Sequence, residues 1–408
     1  SVGSNFNNFG IPAAKSFHLV TPGYAAFNPY YTRIASGATS TVLSDALAQN
    51  PTFFTLSEIG DYDILQYATS GGTGVDQTGN TNPLTYNTND ITDPNVFAQA
   101  FSTMITALTE NGAKGVVTNV PYITDLPHFT AVSHNPLDIS NPDFAQRVPS
   151  LNDIFGLING ALAISGVTDR VIVFSDTEDS PVIIFDETLE NKSQEIATNL
   201  PLIPQFADFL ASFGIPTQFA PQVAGLLGVV YGQTRQTTPD DLLVLPSSAI
   251  IGNINEGFSS FIQAQSQGLL SEAVANQFAV EGITLPLEDK WVLLPSEQNE
   301  IKIATDAYNT TIVDISSSNE NIALVNLNAI LTEVNTMGIN FDGFNLNTNL
   351  VTGGAISLDG IHLTARGYAL MANKFLEAID ANFGSNFIES GNVAKANDYP
   401  TNYSPTLK

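Results

Sequence analysis

Three short apolar segments alternate with long helical patterns, and this alternation constrains the fold more than any other feature of the chain. The segments read PTFFTLSEI (51–59), AKGVVTNV (113–120) and NIALVNL (321–327). The periodic pattern VFAQAFSTMITALTENG precedes the second segment, and PSEQNEIKIATDAYNTTIVDI, with Ser296 as its expected cap, precedes the third. Buried strands that alternate with helices of this length predict βαβ units and a parallel sheet. In such sheets, sites form at the carboxyl ends of the strands.

Composition restricts the partners of the chain. The 408 residues are 43% hydrophobic, which is enough for a buried core in one domain with a large insertion. Thirteen Lys and Arg against 40 Asp and Glu give a formal net charge of −27. Such a surface repels phosphate backbones, so we expect no nucleic-acid partner. The absence of Cys excludes disulfides, thiolate metal sites and a Cys nucleophile.

We expect no transmembrane segment, no cofactor and no metal. No apolar run approaches the ~18 residues that a membrane-spanning helix needs. Asp76, Asp90 and Asp93 lie in an Asn- and Thr-rich stretch, 71–94, which reads as a long surface loop. They can bind Ca²⁺ or form turns, and the sequence favours turns because their spacing has no fixed ligand pattern.

Between about 141 and 294 the pattern changes to many Pro and Gly residues with several short helical patterns. Examples are IPQFADFLASFG and FIQAQSQGLLSEAVANQFA, and one strand, VIIFDE, lies among them. We predict an insertion that covers one rim of the sheet as a lid or substrate-side subdomain. The segments 1–140 and 295–385 would then form the core, and 386–408 a C-terminal tail.

The stretch SLDGIHLTARGYALMANKF places Asp359 three residues before His362, on a Gly-bearing turn that opens into a helical pattern. That spacing suits a hydrolase in which the Asp orients the His and the His removes a proton from a nucleophile. His18, His128 and His134 have no acidic or His neighbour at ligand spacing, and we interpret them as packing or loop residues.

Two further stretches can contribute to a site. EIGDYDILQYATSGG follows the first strand, where Gly60 permits a tight turn. Asp61 and Asp63 can act as acid and base or bind a metal; alternatively, Asp63 caps a helix that begins at Ile64. NNFGIPAAKSFHL, from Asn7, contains an expected helix start at AAKS, whose backbone N–H groups can receive an oxyanion.

Together, and in this order, the three stretches resemble the SGNH, or GDSL-type, lipase and acylhydrolase family, in particular its long Bacteroidetes-type members. The resemblance extends over nearly the whole chain, including NPYYTRIAS, NGAKGVVTNVPYI, PDDLLVLPSSAIIG and DKWVLLPSEQ. It implies an α/β fold, a three-layer α/β/α flavodoxin-like sandwich with a parallel sheet and a large, mostly helical insertion. It also implies serine-dependent hydrolysis of a small-molecule or lipid ester.

The resemblance places Asp359 and His362 at the triad positions of the family. The nucleophilic Ser of the family lies in a G-D/N-S-L block that precedes the Asn7 stretch, so we expect it upstream of Ser1. No G-x-S-x-G elbow occurs elsewhere in the chain.

The resemblance also marks the oxyanion residues. Ala13 corresponds to a Gly whose N–H helps form the oxyanion hole, and this backbone donor survives the change where φ is negative. Gly60 begins the family's G-x-N-D motif, in which Tyr62 replaces the Asn whose amide donates to the oxyanion. Losing one such donor typically costs about 10²–10³ in rate. The expected negative charge of Asp61 opposes an oxyanion as well.

Two functions therefore remain open from the sequence. The first is an active serine esterase or lipase-like acylhydrolase. The second is a degenerate, non-catalytic binding or accessory subunit of a cell-envelope complex, with a cell-envelope protein as partner. The resembled members are usually exported lipoproteins, which implies that this chain belongs to an exported outer-membrane lipoprotein of the cell envelope. The acyl chain and alcohol of any substrate stay undetermined.

Overall fold

A computed structural model describes residues 7–266 and 270–401 of the chain, which divide into two units. Unit 1 consists of the described residues of Ser1–Ala131 and Ser296–Lys408. Unit 2 is Val132–Pro295. The insertion predicted from composition, 141–294, has similar bounds to unit 2, and its role as a lid stays a prediction.

Parts of several predictions fall outside the described residues, including residues 1–6 of the predicted core segment 1–140. The last seven residues of the predicted tail, 386–408, are among them. So is the segment 267–269, which belongs to the predicted helical pattern FIQAQSQGLLSEAVANQFA.

The described residues contain short strands and many helices. In chain order, the strands are β1 (Phe53–Leu56), β2 (Lys114–Thr118), β3 (Ile183–Phe185), β4 (Thr234–Gln236), β5 (Leu242–Leu243), β6 (Val292–Leu293), β7 (Ile322–Val325), β8 (Ile339–Phe341) and β9 (Phe344–Leu346). The α-helices are α1 (Pro29–Thr32), α2 (Val42–Leu47), α3 (Asp61–Thr69), α4 (Pro94–Thr109), α5 (Pro127–Thr130), α6 (Pro142–Ala145), α7 (Val148–Ile164), α8 (Ser193–Asn199), α9 (Pro204–Ser212), α10 (Ala220–Tyr231), α11 (Glu256–Gln265), α12 (Glu272–Gln277), α13 (Pro295–Ser317), α14 (Leu327–Thr336) and α15 (Ala365–Phe383).

Unit 1 is built on a parallel sheet of three strands in the order β1-β2-β7. Thr55 pairs with Val116, which pairs in turn with Ala323. The three strands are those expected from the apolar segments, and helices separate them along the chain. The mixed helix and strand content with a parallel sheet agrees with the predicted α/β class, whereas the three-layer flavodoxin-like sandwich stays a prediction.

The strands differ in burial, and the prediction that all three are buried is wrong for β1. Val116 and Val117 in β2 are fully buried, but β1 alternates between exposed and half-buried residues, and Phe53 is 41% exposed. β1 is an edge strand of the described sheet. Its Phe54 ring lies where a Cβ on Gly115 of the neighbouring strand would be, 2.3 Å from the nearest ring atom, so the glycine makes room for the ring.

Two of the long helices of unit 1, α4 and α13, form where the periodic patterns predict them. Asp93 caps α4, since its Oδ1 accepts hydrogen bonds from the N–H groups of Asn95 and Val96. In α13 the helix already begins at Pro295, a residue whose fixed φ suits the first turn. Ser296 therefore lies inside the helix, and its predicted role as the cap is wrong.

The carboxylates of Asp76 and Asp90 in the loop 71–94 accept hydrogen bonds from N–H and hydroxyl groups of the same loop. Asp90 accepts hydrogen bonds from the N–H groups of Val75 (3.0 Å) and Asn87 (2.8 Å). Asp76 accepts two hydrogen bonds from Thr78, through its N–H and its hydroxyl. These contacts favour turn formation over a Ca²⁺ site as the role of these carboxylates.

Unit 2 has a hydrophobic core of its own, and its described residues contain more helix than strand. Phe155 lies at the centre, where its ring contacts those of Phe174 and Tyr231. The predicted strand VIIFDE contains β3, which pairs with β4 in antiparallel orientation. Beside it, Arg235 forms ion pairs with Asp186 (2.5 Å) and Asp241 (2.7 Å).

Among the described helices, none is by itself long and apolar enough to cross a membrane. α9 and the segment Thr217–Tyr231 reach that length and composition only as a pair, which is bent by 114°.

His18 is a packing residue of unit 1, as its sequence context predicts. It lies in the 3₁₀ turn Ser16–Val20, where its Nδ1 accepts a hydrogen bond from the N–H of Lys15 (3.1 Å). Its ring stacks on Tyr24, with the ring centroids 4.4 Å apart. Burial, and to a lesser extent the charge of Lys15, lowers the pKa of His18 to about 4.

Because of this lowered pKa, the folded chain should lose stability as the pH falls from 6.5 to about 4. The unfolded His binds its proton near pH 6.5, whereas the folded one does so only near pH 4, so the contribution is complete above pH 6.5 and declines below it. Between pH 7 and pH 4.5 the resulting loss in the free energy of unfolding amounts to about 2–3 kcal/mol. His18→Asn keeps an acceptor for the Lys15 N–H without titrating, so urea unfolding at both pH values should show a smaller loss. An equal loss in variant and wild type would contradict this assignment.

Candidate active site

The carboxyl ends of β1, β2 and β7 lie at one edge of the sheet, and the segments that follow them line one pocket of about 160 Å³. The lining residues come from 58–65, 121–126, 327–334 and 355–371. Most of them are aliphatic, and the polar ones include His362. A site at this edge is what a parallel sheet predicts.

The loop before α15 holds the pair predicted from the sequence. His362 Nδ1 lies 2.6 Å from Asp359 Oδ2. The other oxygen, Oδ1, accepts hydrogen bonds from the N–H groups of Ile361 (2.9 Å) and His362 (3.0 Å) and from the Ser357 hydroxyl (2.7 Å). Partial burial acts to raise the pKa of Asp359, but these hydrogen bonds together hold it well below its usual range. Asp359 is therefore ionised at any ordinary pH.

The ionised carboxylate fixes the tautomer of His362. A carboxylate can only accept hydrogen bonds, so the proton of the neutral imidazole lies on Nδ1 and the lone pair on Nε2. The His362 side chain lines the pocket and is 59% exposed. Its Nε2 is therefore available as a base to a group in the pocket.

His128 contacts the same loop, which its sequence context did not predict. Its Nδ1 lies 3.1 Å from the carbonyl oxygen of Asp359, and its backbone N–H donates to the carbonyl of Gly360 (3.1 Å). Because a carbonyl only accepts, Nδ1 carries the proton. Nε2 is buried and has no partner among the described residues. Burial lowers the pKa of His128, so the ring stays neutral as it supports the loop.

The residues assigned to the oxyanion hole lie in different surroundings. Tyr62, in the first turn of α3, lines the pocket. Gly60 caps that helix with φ +107°, and a Cβ there would lie 2.6 Å from the side chain of Val120. Ala13 is exposed, is not one of the lining residues, and has φ +61°. The negative φ that the Gly-to-Ala change requires is thus not present, and αL geometry costs Ala about 1–2 kcal/mol. The oxyanion roles stay predictions.

Asp63 does not cap a helix, and the AAKS stretch does not present a free helix start. α3 begins at Asp61 rather than Ile64, because the left-handed Gly60 allows the helix to start directly after the turn. Asp63 is fully buried inside the first turn, where its carboxylate accepts the N–H and the hydroxyl of Ser16, each at 2.9 Å. The Ser16 N–H is therefore not available to an oxyanion.

Asp61 lines the pocket beside Tyr62, at the first position of α3. Its Oδ1 is closed off from solvent and has no hydrogen-bond partner among the described residues. Burial, followed by the nearby carboxyl groups of Glu58 and Asp63, raises the pKa of Asp61 to about 8. Burial and these neighbours therefore favour the neutral form of Asp61 over the negative charge predicted for it.

Comparison of the chain with protein-family models, with curated proteins and with solved structures finds no match in any of the three. Within the described residues of unit 1, no three carboxylate or imidazole ligand atoms come within 4.8 Å of one another.

Gly360 should be necessary for the position of the loop before α15 that holds Asp359 and His362. Its φ is +75°, and a Cβ there would lie 2.5 Å from the backbone nitrogen of His128, a contact that no change of rotamer relieves. Gly391 has the same φ but no atom within 4 Å of such a Cβ, so Gly391→Ala is a matched control. We expect Gly391→Ala to cost about 1–2 kcal/mol of the free energy of unfolding. Gly360→Ala should cost clearly more in the same urea titration, and equal costs would show that the close approach is unimportant.

Proposed function

We propose that the chain is an ester hydrolase in which His362 is the general base and Asp359 orients it. The observation that carries the proposal is the 2.6 Å contact between His362 Nδ1 and an Asp359 carboxylate that three further donors hold in place. This contact presents Nε2 of the imidazole at the edge of a mainly aliphatic pocket. A His oriented in this way is suited to removing a proton from a hydroxyl nucleophile.

The proposed nucleophile is a serine hydroxyl, as the sequence resemblance to the SGNH family implies. None of the described residues that line the pocket is Ser, Thr or Cys, so the hydroxyl would come from a residue outside that group. His362 Nε2 takes the hydroxyl proton as the serine oxygen bonds to the ester carbonyl carbon, and gives it to the departing alcohol. Water then hydrolyses the acyl-enzyme by the same proton route. Asp359 stabilises the imidazolium in both steps.

The lining of the pocket favours an apolar acyl group. Leu331, Val334, Ile361 and Met371 contribute aliphatic or thioether surface, and no Lys or Arg is among the described lining residues. Burial of apolar surface is worth about 25 cal/mol per Å². We therefore propose esters of aliphatic acids as substrates, with a small-molecule or lipid alcohol.

The sequence resemblance to the SGNH family supports two wider proposals. The fold would be a three-layer flavodoxin-like sandwich around the sheet of unit 1, and the protein an exported lipoprotein of the cell envelope. A second function, non-catalytic binding of apolar acyl groups as a cell-envelope accessory subunit, is favoured by Tyr62 in the pocket, where the family has Asn.

Replacement of His362, the proposed base, tests whether the chain hydrolyses esters or only binds apolar acyl groups. His362→Ala should lower the turnover of p-nitrophenyl esters of aliphatic acids at least ~10³-fold, with a nearly unchanged melting temperature because the side chain is 59% exposed. His134→Ala, in unit 2 and outside the pocket lining, is the matched control and should keep full turnover. A fluorophosphonate probe should label the wild type once and His362→Ala much more slowly. Turnover that is unaffected by His362→Ala would refute the proposal, and apolar-acid binding without any turnover would support the second function.

A further inference from the structure

We propose that Asp61, as a neutral carboxylic acid, donates a hydrogen bond to the carbonyl oxygen of the bound ester and to the oxyanion that forms from it. This assignment rests on the proposed function, which supplies the ester. It gives the pocket a side-chain donor that neither the sequence motif nor the family resemblance provides.

The position of Asp61 is the first support. It follows the carboxyl end of β1 as the first residue of α3, and it lines the same pocket as His362. Its Oδ1 is buried without a hydrogen-bond partner among the residues that the structure describes. Asp61 as a whole is half-buried, but an ionised carboxylate with one buried, unpartnered oxygen is disfavoured, whereas a carboxylic acid carries its own donor and needs only an acceptor. A carbonyl oxygen is such an acceptor.

The charges around Asp61 are the second support. No cation other than a protonated His can come from the described lining residues. The start of α3 favours an anion, but burial and two neighbouring carboxyl groups outweigh it and raise the pKa of Asp61 to about 8. The titratable groups of the elements around Asp61 are Glu58 in the preceding turn, Tyr62 and Asp63 in α3, Asp125 in the adjacent 3₁₀ turn, Asp359 and His362 in the loop before α15, and Tyr368 in α15.

A neutral Asp61 can replace the oxyanion donor that is lost where Tyr62 stands in place of Asn. The resemblance predicts that replacement of Asn by Tyr removes an oxyanion donor and that Asp61 adds an opposing charge. A protonated Asp61 instead supplies a donor from the preceding residue, and its hydrogen bond strengthens as negative charge develops on the oxygen. The proton stays on Asp61 throughout, so no further acid or base is required.

The active form therefore has His362 unprotonated and Asp61 protonated. As the pH rises, turnover should decline near pH 8 as Asp61 ionises. The decline reflects loss of the donor together with repulsion between a carboxylate and the oxyanion.

The test is the pH profile of kcat for p-nitrophenyl esters in the full chain and three variants. Asp61→Asn donates through its amide at every pH, so it should keep most of the turnover and lose the decline near pH 8. Asp61→Leu has no donor, so its kcat at pH 7 should fall about 10²–10³-fold while KM changes much less. Asp125→Asn removes a half-buried carboxyl outside the pocket lining and should keep the wild-type profile.

Each outcome decides between the two proposals. If His362→Ala abolishes turnover but Asp61→Asn retains the decline near pH 8, or Asp61→Leu matches the wild-type kcat, the role of Asp61 is refuted and the hydrolase stands. If His362→Ala leaves turnover unchanged, the hydrolase proposal fails and the role of Asp61 fails with it. Should Asp61→Leu not fold, the difference infrared spectrum of wild type minus Asp61→Asn at pH 7 gives the deciding readout: a protonated-carboxyl band supports the role of Asp61, and its absence refutes that role.

Discussion

Parallel hydrogen bonding of β1, β2 and β7 is the constraint on which the rest of unit 1 depends. Because Leu56 pairs with Val117 and Val117 with Leu324, three chain segments leave the sheet at the same edge. Residues more than 200 positions apart thereby become neighbours in one pocket. The helices that follow the strands, α3 and α14, then supply its polar and aliphatic walls respectively.

Two carboxyl groups of this unit differ in charge because they differ in partners. Asp359 accepts four hydrogen bonds, so the ionised form is favoured although the residue is partly buried. Asp61 has a buried oxygen without a partner and two carboxyl neighbours, so the neutral form is favoured. Sites that use one acid and one base often separate their carboxyl groups in this way.

Local patterns made much of unit 1 predictable. The strands β1, β2 and β7 and the helices α4 and α13 follow from apolar periodicity, and the contact between Asp359 and His362 follows from their spacing on a turn. Contacts over long distances in sequence were not predictable: His128 is 231 residues from Asp359. The protonation of Asp61, the edge position of β1 and the left-handed φ of Ala13 also depend on tertiary surroundings or backbone geometry that a single sequence does not encode in any short pattern.

If the chain hydrolyses esters as proposed, its acidity has a consequence for the end of that reaction. Hydrolysis converts a neutral ester into a carboxylate, which meets an exposed Glu58 at the pocket and the field of 27 excess negative charges. Like charges repel the acid product but not the neutral ester. At physiological ionic strength the field extends about 8 Å, and added salt shortens this range. In the proposed enzyme, departure of the product rather than entry of the substrate is the step on which ionic strength acts.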